Sequence, residues 1–406
     1  MGEMRSPDAG CAGKRVVPLA PGFSPVGGRG ELQERNRLHK PKRILVVKLS
    51  DIGDVLTATP ALRALRRSFP EARLDALVPP NSAPVLAGSS LVDSRLVFDK
   101  FRYDRLPGAL HPSALSDALR LGLELRRRGY DCLILLHHLT TRWGALKFAA
   151  LALATGAGMR LGLDNGRGWF LTHRARDMGF GARHEVEYWL EVVALIGART
   201  DDLSLEVTIS PEDEAFAEVV IPAAHPLVAI HPGSGGYSLA RRWDAEGFAR
   251  VAEALMERYG AHIVLVGTPA DGVSKVASLM HPVRLPKSPR LRKSYTNLEG
   301  RTTLGQLAAV LKRCDLFIGA DSGVMHLACA VGTPVVAIFG PSNHRAWGPW
   351  TPDERRAVVV RADLPCSPCS YVGFSVGKRE GCQARTCMRM VTLEMVLEAA
   401  TELLGG

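Results

Sequence analysis

Leu316-Phe317-Ile318-Gly319-Ala320-Asp321-Ser322-Gly323-Val324-Met325-His326 is the stretch from which the fold of this chain can be read. Leu316–Gly319 is apolar and reads as a buried strand, Gly323–Val331 has the apolar spacing of a helix, and only a tight turn fits between them. A strand passing directly into a helix is half of a βα unit. The first amides of such a helix have no intrahelical partner, and the macrodipole adds positive potential there. Ser322 and Gly323 would therefore offer N–H groups to an anion. His326 lies one turn in and can face the same anion. Asp321 reads equally as a helix cap, and His326 as a satisfied core histidine.

The alternation continues in both directions. Downstream, Val335–Phe339 is a strand leading into the loop Gly340-Pro341-Ser342. Upstream lie the strand Leu227–His231, the helix Ala245–Tyr259, the strand His262–Val266 and the helix Leu304–Arg313. Ala198–Pro226 is polar and Pro-containing and reads as a linker, with a strand-like Leu205–Ile209 inside it. Before it an earlier series reads as strands at Ile44–Val47, Leu74–Val78, Arg95–Phe98, Cys132–His137 and Arg160–Leu163. Helices fall at Pro60–Phe69, Leu115–Arg128, Trp143–Ala154 and Glu185–Ile196. Two such series predict an α/β protein of two doubly wound Rossmann-like domains facing a central cleft, with mainly parallel sheets. The boundaries read as a basic N-terminal extension over 1–42, a first domain over 43–210, a second over 211–390, and a terminal helix over 391–406. Leu393–Leu404 has no partner in its own segment and is expected to return to the first domain. Ligands of such sheets bind beyond the carboxyl ends of the strands.

Composition narrows the function classes. The chain has 406 residues, 46% apolar and 23% charged, with a formal net charge of +10. No apolar run reaches the roughly 18 residues of a membrane span. Residues 1–43 carry nine Lys and Arg against four Asp and Glu. This segment lacks sustained periodicity and the apolar core of an export signal, so it is expected to be disordered. Its sharper reading is a basic arm for an anionic membrane face. With no export signal, a reducing cytoplasm is expected, either free or peripheral on the cytoplasmic face of the inner membrane, and disulfides are not. Of eight cysteines, Cys132, Cys314 and Cys329 lie in or beside apolar stretches, and Cys11 lies in the extension. Cys366-x2-Cys369-x12-Cys382-x4-Cys387 suits a structural zinc site, or equally four unligated thiols.

Three more strand-end loops carry candidate chemistry. Lys48-Leu49-Ser50-Asp51-Ile52-Gly53-Asp54 follows the first strand. Gly53 permits a close backbone approach, and Asp54 is either a helix cap or a general base. His231-Pro232-Gly233-Ser234-Gly235-Gly236 exposes amides suited to phosphate oxygens, and Arg241-Arg242 adds fixed positive charge. Asp271, beyond the strand His262–Val266, either caps a helix or accepts hydrogen bonds from ribose hydroxyls. Lys48, Arg63 and Arg66, with Arg67, would attract an acidic acceptor at the first cleft edge; the alternative is that these arginines only solvate the exterior.

On these residues the sequence resembles glycosyltransferase family 9, the lipopolysaccharide heptosyltransferases. The resemblance runs from about Arg43 to the C-terminus. It rests on Ile44 to Asp54 with Pro60-Ala61-Leu62, on His231-Pro232-Gly233-Ser234-Gly235 with Arg241-Arg242-Trp243, and on Asp321-Ser322-Gly323 with His326-Leu327-Ala328. A fourth block runs from Gly332-Thr333-Pro334 through Phe339-Gly340-Pro341 to Trp347-Gly348-Pro349, and Cys366-Ser367-Pro368-Cys369 is also similar. The resemblance implies a GT-B fold, ADP-heptose as donor, inversion at the anomeric carbon, no required metal or other cofactor, and a lipid-linked or oligosaccharide acceptor. It implies Asp54 as catalytic base and Ser234, Gly235, Arg241, Asp271, Asp321, Ser322, Gly323 and His326 as donor-site residues. Family members usually carry Lys in place of Arg241 and often Glu in place of Asp271, and the N-terminal extension is atypical.

Sugar transfer from a nucleotide diphosphate needs a base for the acceptor hydroxyl and positive potential for the departing pyrophosphate. The chain has no Asp-x-Asp. Two alternatives stand beside this reading. A nicotinamide-dependent dehydrogenase would suit two α/β domains but lacks its Gly-x-Gly-x-x-Gly. A basic nucleic-acid-binding protein would suit the charge, but no motif for base readout is present, so no nucleic-acid partner is expected.

Overall fold

A computed structural model describes residues 15–16, 40–103, 108, 111–236, 238–286 and 291–405. After a short strand β1 (Arg15–Val16), the first series runs β2 (Arg43–Val47), α1 (Ile52–Ser68), β3 (Arg73–Val78), β4 (Ser94–Val97), α2 (Pro112–Arg128), β5 (Cys132–Leu135), α3 (Arg142–Thr155), β6 (Met159–Asp164), β7 (His173–Arg176) and α4 (Glu185–Ala194). Its six strands form one parallel sheet ordered β4-β3-β2-β5-β6-β7. The winding direction switches between β2 and β5, which opens a crevice beyond their carboxyl ends. Lys48–Asp54 and His137–His138 emerge there.

The second series runs α5 (Pro211–Val220), β8 (Leu227–His231), α6 (Ala245–Tyr259), β9 (His262–Leu265), α7 (Val273–Leu279), β10 (Val283–Arg284), β11 (Leu291–Arg292), β12 (Tyr295–Asn297), α8 (Leu304–Lys312), β13 (Leu316–Ala320), α9 (Gly323–Ala330), β14 (Val335–Ile338), β15 (Ala357–Val360) and α10 (Leu393–Leu403). Its large sheet is ordered β1-β15-β14-β13-β8-β9-β12 and is parallel except for β1 at the edge. Here the switch lies between β8 and β13, so the loops after His231 and Ala320 share a crevice. The central strands are buried along their whole length, as expected where helices cover both faces of a parallel sheet. One apolar cluster runs through both halves. It joins Leu56, Leu62 and Leu65 of α1 to Met325 and Leu327 of α9 and Leu311 of α8.

Several elements differ from the sequence expectation. Helix α1 starts eight residues before Pro60. Proline removes the N–H that would bind Leu56 O, but Thr59 Oγ1 donates to that carbonyl at 2.7 Å, so the helix continues through it. The expected linker contains α5, opened by a Ser210–Asp213 capping box. Leu205–Ile209 is not a strand; its backbone crosses α1, with Glu206 N donating to Thr59 Oγ1 at 3.0 Å. Helix α10 stays with the second half. Val396, Leu397 and Ala400 join the cluster of Phe248 and Val251 on α6, and Tyr259 Oη bonds Thr401 Oγ1 at 2.9 Å. Of the expected disordered extension, Arg15–Val16 is a strand paired with Val359–Val360, and 1–14 and 17–39, Cys11 included, lie outside the described residues. Among the described residues no helix is long and apolar enough to cross a membrane.

Candidate active site

A cleft of ≈ 1800 Å³ separates the halves and is lined from both sides. Its floor is the place where the N-termini of α1 and α9 meet. A Cβ on Gly53 would stand 2.7 Å from His326 Cδ2, and one on Gly323 would stand 3.2 Å from Gly53 N. Glycine at both positions lets the two helix starts approach this closely, and that contact sets Asp54 opposite the second domain's loops.

Asp54 is the third residue of α1 and not its cap; the N-cap is Asp51, whose side chain makes no capping bond. Burial in the cleft pushes the Asp54 carboxyl above the usual carboxylate range, and Lys48 opposes that shift. Lys48 Nζ lies 3.4 Å from Asp54 Oδ1 and 4.0 Å from the Trp189 ring centroid, itself almost fully buried. Lys48 thus positions Asp54 and favours its ionised form.

The second domain presents a guanidinium within a glycine cradle. Arg241 Nη1 donates to Asp321 Oδ2 at 2.9 Å and Nη2 to Ser234 O at 2.7 Å. Ser234 is fully buried, its Oγ donating to Ser238 O at 2.7 Å. Gly235 has φ +68, in the left-handed region. A Cβ on Gly233 would overlap the Asp271 carboxylate, so glycine is required where that loop passes it. Asp321 pairs with Arg241 and does not cap; Ser322 is the N-cap of α9, with its Oγ 3.4 Å from Met325 N and 3.3 Å from His231 Nδ1. Ser322, Gly323 and Val324 at the start of α9 line the same cleft, where the first amides of a helix have no intrahelical partner. His326 is buried and its Nδ1 has no hydrogen-bond partner. Burial pushes it down to about 4, so it is neutral at pH 7 and adds no positive charge. Its observed role is to wall Gly53.

Asp271 faces the cleft and also closes its own turn: Oδ2 accepts from Thr268 N at 2.8 Å and Thr268 Oγ1 at 2.7 Å. Burial alone would raise its pKa, but His231 and Thr268 hold it well below the carboxylate range. Arg242 Nη2 reaches Asp271 Oδ1 at 3.3 Å. Arg63 and Arg66 do not reach the cleft. Arg63 is buried against the interdomain segment, donating to Ser204 O at 2.7 Å and Glu206 Oε2 at 2.7 Å. Arg66 holds Asp93 Oδ2 at 2.8 Å and Ala72 O at 3.0 Å. Both guanidiniums stitch α1 to neighbouring backbone, so neither is offered as an acceptor contact. Among the described residues no group of three or more His, Cys, Asp or Glu side chains is disposed to hold a metal ion. Cys366, Cys369 and Cys382 are exposed and Cys387 is buried, all as free thiols, so their arrangement does not support a structural zinc. Their loop does contribute to the cleft. Cys369 N and Ser370 N donate to Pro341 O at 2.8 Å, Phe180 N donates to Gly373 O at 2.6 Å across the domain gap, and Tyr371 lines the wall with φ +58.

Sequence reasoning missed a buried charge cluster beside Asp54. His138 Nδ1 lies 3.0 Å from Asp177 Oδ1, and its Nε2 3.1 Å from Glu185 Oε1. Glu185 Oε2 is buried without a hydrogen-bond partner, and the Glu185 charge helps raise the Asp54 pKa. Burial alone would lower the His138 pKa, but the two carboxylates outweigh it and push it up to about 9. His138 lies 39 residues from Asp177 and 47 from Glu185 in sequence, and the adjacent histidines after β5 were the one available signal. A raised histidine pKa contributes stability that is complete below the unfolded value of 6.5 and lost as pH rises through about 9. The thermal midpoint is therefore expected to fall from neutral pH to pH about 9, and His138→Gln to flatten that dependence. An unchanged slope in the variant would remove the cluster from this role.

The family model for glycosyltransferase family 9 (heptosyltransferase) matches residues 118–378. Lipopolysaccharide heptosyltransferase 3 of Escherichia coli K12 is 27% identical over 310 residues, 74% of this chain and 83% of that protein. A solved structure of a glycosyl transferase family 9 protein from Veillonella parvula superposes with TM-score 0.67 at 26% identity, covering 89% of this chain and 97% of that one. The E. coli heptosyltransferase WaaC with ADP superposes with TM-score 0.65 at 18% identity, over 89% and 99% of the two chains, and shares the fold.

Proposed function

This chain belongs to glycosyltransferase family 9, and from that premise we propose that it moves a heptose from ADP-heptose to a lipid-linked saccharide of the lipopolysaccharide core, with inversion and without a metal. One observation carries the chemistry: a half-buried carboxylate with a raised pKa, Asp54, stands across a glycine-to-glycine helix contact from Arg241 and the cleft-lining start of α9. An acceptor hydroxyl oxygen would form its bond to the anomeric carbon as the bond to the diphosphate oxygen breaks. Its proton passes to Asp54 Oδ, and the electron pair leaves on ADP. Attack from the face opposite the leaving group inverts the centre. The departing negative charge falls where Arg241 and the first amides of α9 supply fixed positive potential in a partly desolvated cleft, so no metal is assigned to it. Ser234, Gly235, Ser322 and Gly323 cradle the diphosphate, Asp321 orients Arg241, and Asp271 receives ribose hydroxyls. His326 is assigned the packing contact that fixes Gly53. Lys48 holds Asp54 on the acceptor side. The cytoplasm, where nucleotide sugars are made, is the assigned compartment.

The test is a thermal-shift panel of ADP, UDP, GDP and their sugar conjugates. ADP and ADP-heptose should raise the midpoint well above the others, since a ligand at about 100 times its Kd stabilises by about 2.7 kcal/mol. Chelator should leave turnover unchanged. Equal response to every nucleotide, or loss of turnover in EDTA, would overturn the donor assignment or the metal independence respectively.

A further inference from the structure

Helix α2 carries an exposed apolar row along the edge of the cleft. Leu115, Leu119 and Leu123 recur every fourth residue and are 47%, 69% and 56% exposed. The adjacent α3 adds exposed Leu146 and Leu153, and the helices are so close that a Cβ on Gly122 would stand 3.6 Å from Ala154 Cβ. Single exposed leucines are ordinary, but a row on one helix backed by a second helix is a contact surface.

The same helix borders a basic depression of ≈ 600 Å³ formed by Arg43, Arg73, Arg120, Arg127 and Arg128 with Leu123 and Glu124. Arg128 is held by Glu124 at 2.7 Å and by Asp75 at 3.2 Å, and Arg73 by Asp75 at 3.2 Å. Arg120 and Arg127 form no ion pair among the described residues. Leu115, Leu119 and Leu123 all line the large cleft, and Leu123 also borders this depression. Across α2 the leucines that line the cleft therefore give way to guanidiniums.

We propose that α2 lies in the headgroup layer of an anionic phospholipid bilayer, with Leu119 and Leu123 at the acyl boundary and Arg120 and Arg127 on lipid phosphates. Leucines beside arginines on one helix fit an apolar layer edged by phosphate, which is the profile of an interfacial helix. Five guanidiniums against the carboxylates of Glu124 and Asp75 leave an excess of positive charge that complements phosphate. The cleft opens beside the leucine row, so a helix seated this way would bring the cleft mouth to the lipid surface. Only that last step rests on the lipid-linked acceptor proposed above; binding to the bilayer does not.

The test is sedimentation of the full chain with vesicles of equal parts phosphatidylglycerol and phosphatidylcholine, and with vesicles of phosphatidylcholine alone. Binding is expected to the anionic vesicles and to weaken with salt. Leu119→Ser with Leu123→Ser should lower the partition coefficient about tenfold or more, and Arg120→Ala with Arg127→Ala about tenfold with loss of most of the salt dependence. All four side chains are exposed or border solvent, and an unchanged thermal midpoint checks folding. Wild-type protein that ignores anionic vesicles, or binding that survives both double substitutions, overturns the proposal. A dimer in solution that the leucine pair dissociates would make a second copy the occupant and overturn it too. Sedimentation reads no sugar transfer, so failure here leaves the donor and base assignments untouched, and their failure would leave this result standing.

Discussion

Asp54→Ala is expected to lower turnover by about 10²–10⁴-fold while ADP still binds with little change. Asp54 belongs to α1 of the first domain, and the cradle for the diphosphate is built from loops of the second, so the substitution removes the base without touching the donor contacts. The measurement is ADP release under saturating donor and acceptor, set beside ADP affinity by calorimetry. Near-normal turnover would end the assignment of Asp54. The pH profile gives a second reading. Burial raises the Asp54 pKa, and a base must be ionised, so activity falls as pH drops through that raised value. Lys48 is the main force opposing the shift, with its Nζ 3.4 Å from the carboxylate. Lys48→Met should therefore move the acid limb to higher pH, whereas a purely structural lysine would alter stability and leave the limb where it is.

Arg241→Ala is expected to reduce kcat by about 10²–10³-fold, the usual cost of removing one preorganised group that meets developing charge. Arg241 donates to both Asp321 Oδ2 and Ser234 O, which fixes its plane within the cradle. Arg241→Lys should recover part of the loss, because an ammonium keeps the charge but not the two-pronged geometry. The alanine variant also leaves Asp321 buried without its counter-ion, which costs stability. Thermal midpoints of both variants must therefore accompany the kinetics, and the comparison should be made well below the lower midpoint. If the alanine variant keeps kcat within twofold while binding ADP more weakly, Arg241 serves ground-state binding only, and the leaving-group role passes to the α9 amides.

What the sequence determined by itself was the repeating strand–helix order, the strand-end loops and the residues that sit on them; which of those loops lie at the switch points followed from the strand order. Those signals are local: an apolar run, a Gly-containing turn and a polar residue at the turn are all contained in about ten neighbours. The same locality explains the errors. Pro60 looks like a helix start until Thr59 is seen to take the carbonyl that proline leaves free, and the segment before β8 hides a helix because its polar first turn resembles a linker. Tertiary structure alone decided which charges face substrate. Arg63 and Arg66 read as an acidic acceptor's partners, but the fold turns them toward Glu206 and Asp93. It also assembled His138, Asp177 and Glu185 from three separate elements and set Gly53 against Gly323 across the domain gap. The physical reason is distance along the chain. A side chain's pKa and partners depend on what lies within a few ångströms of it, and here most of those neighbours come from residues far away in sequence.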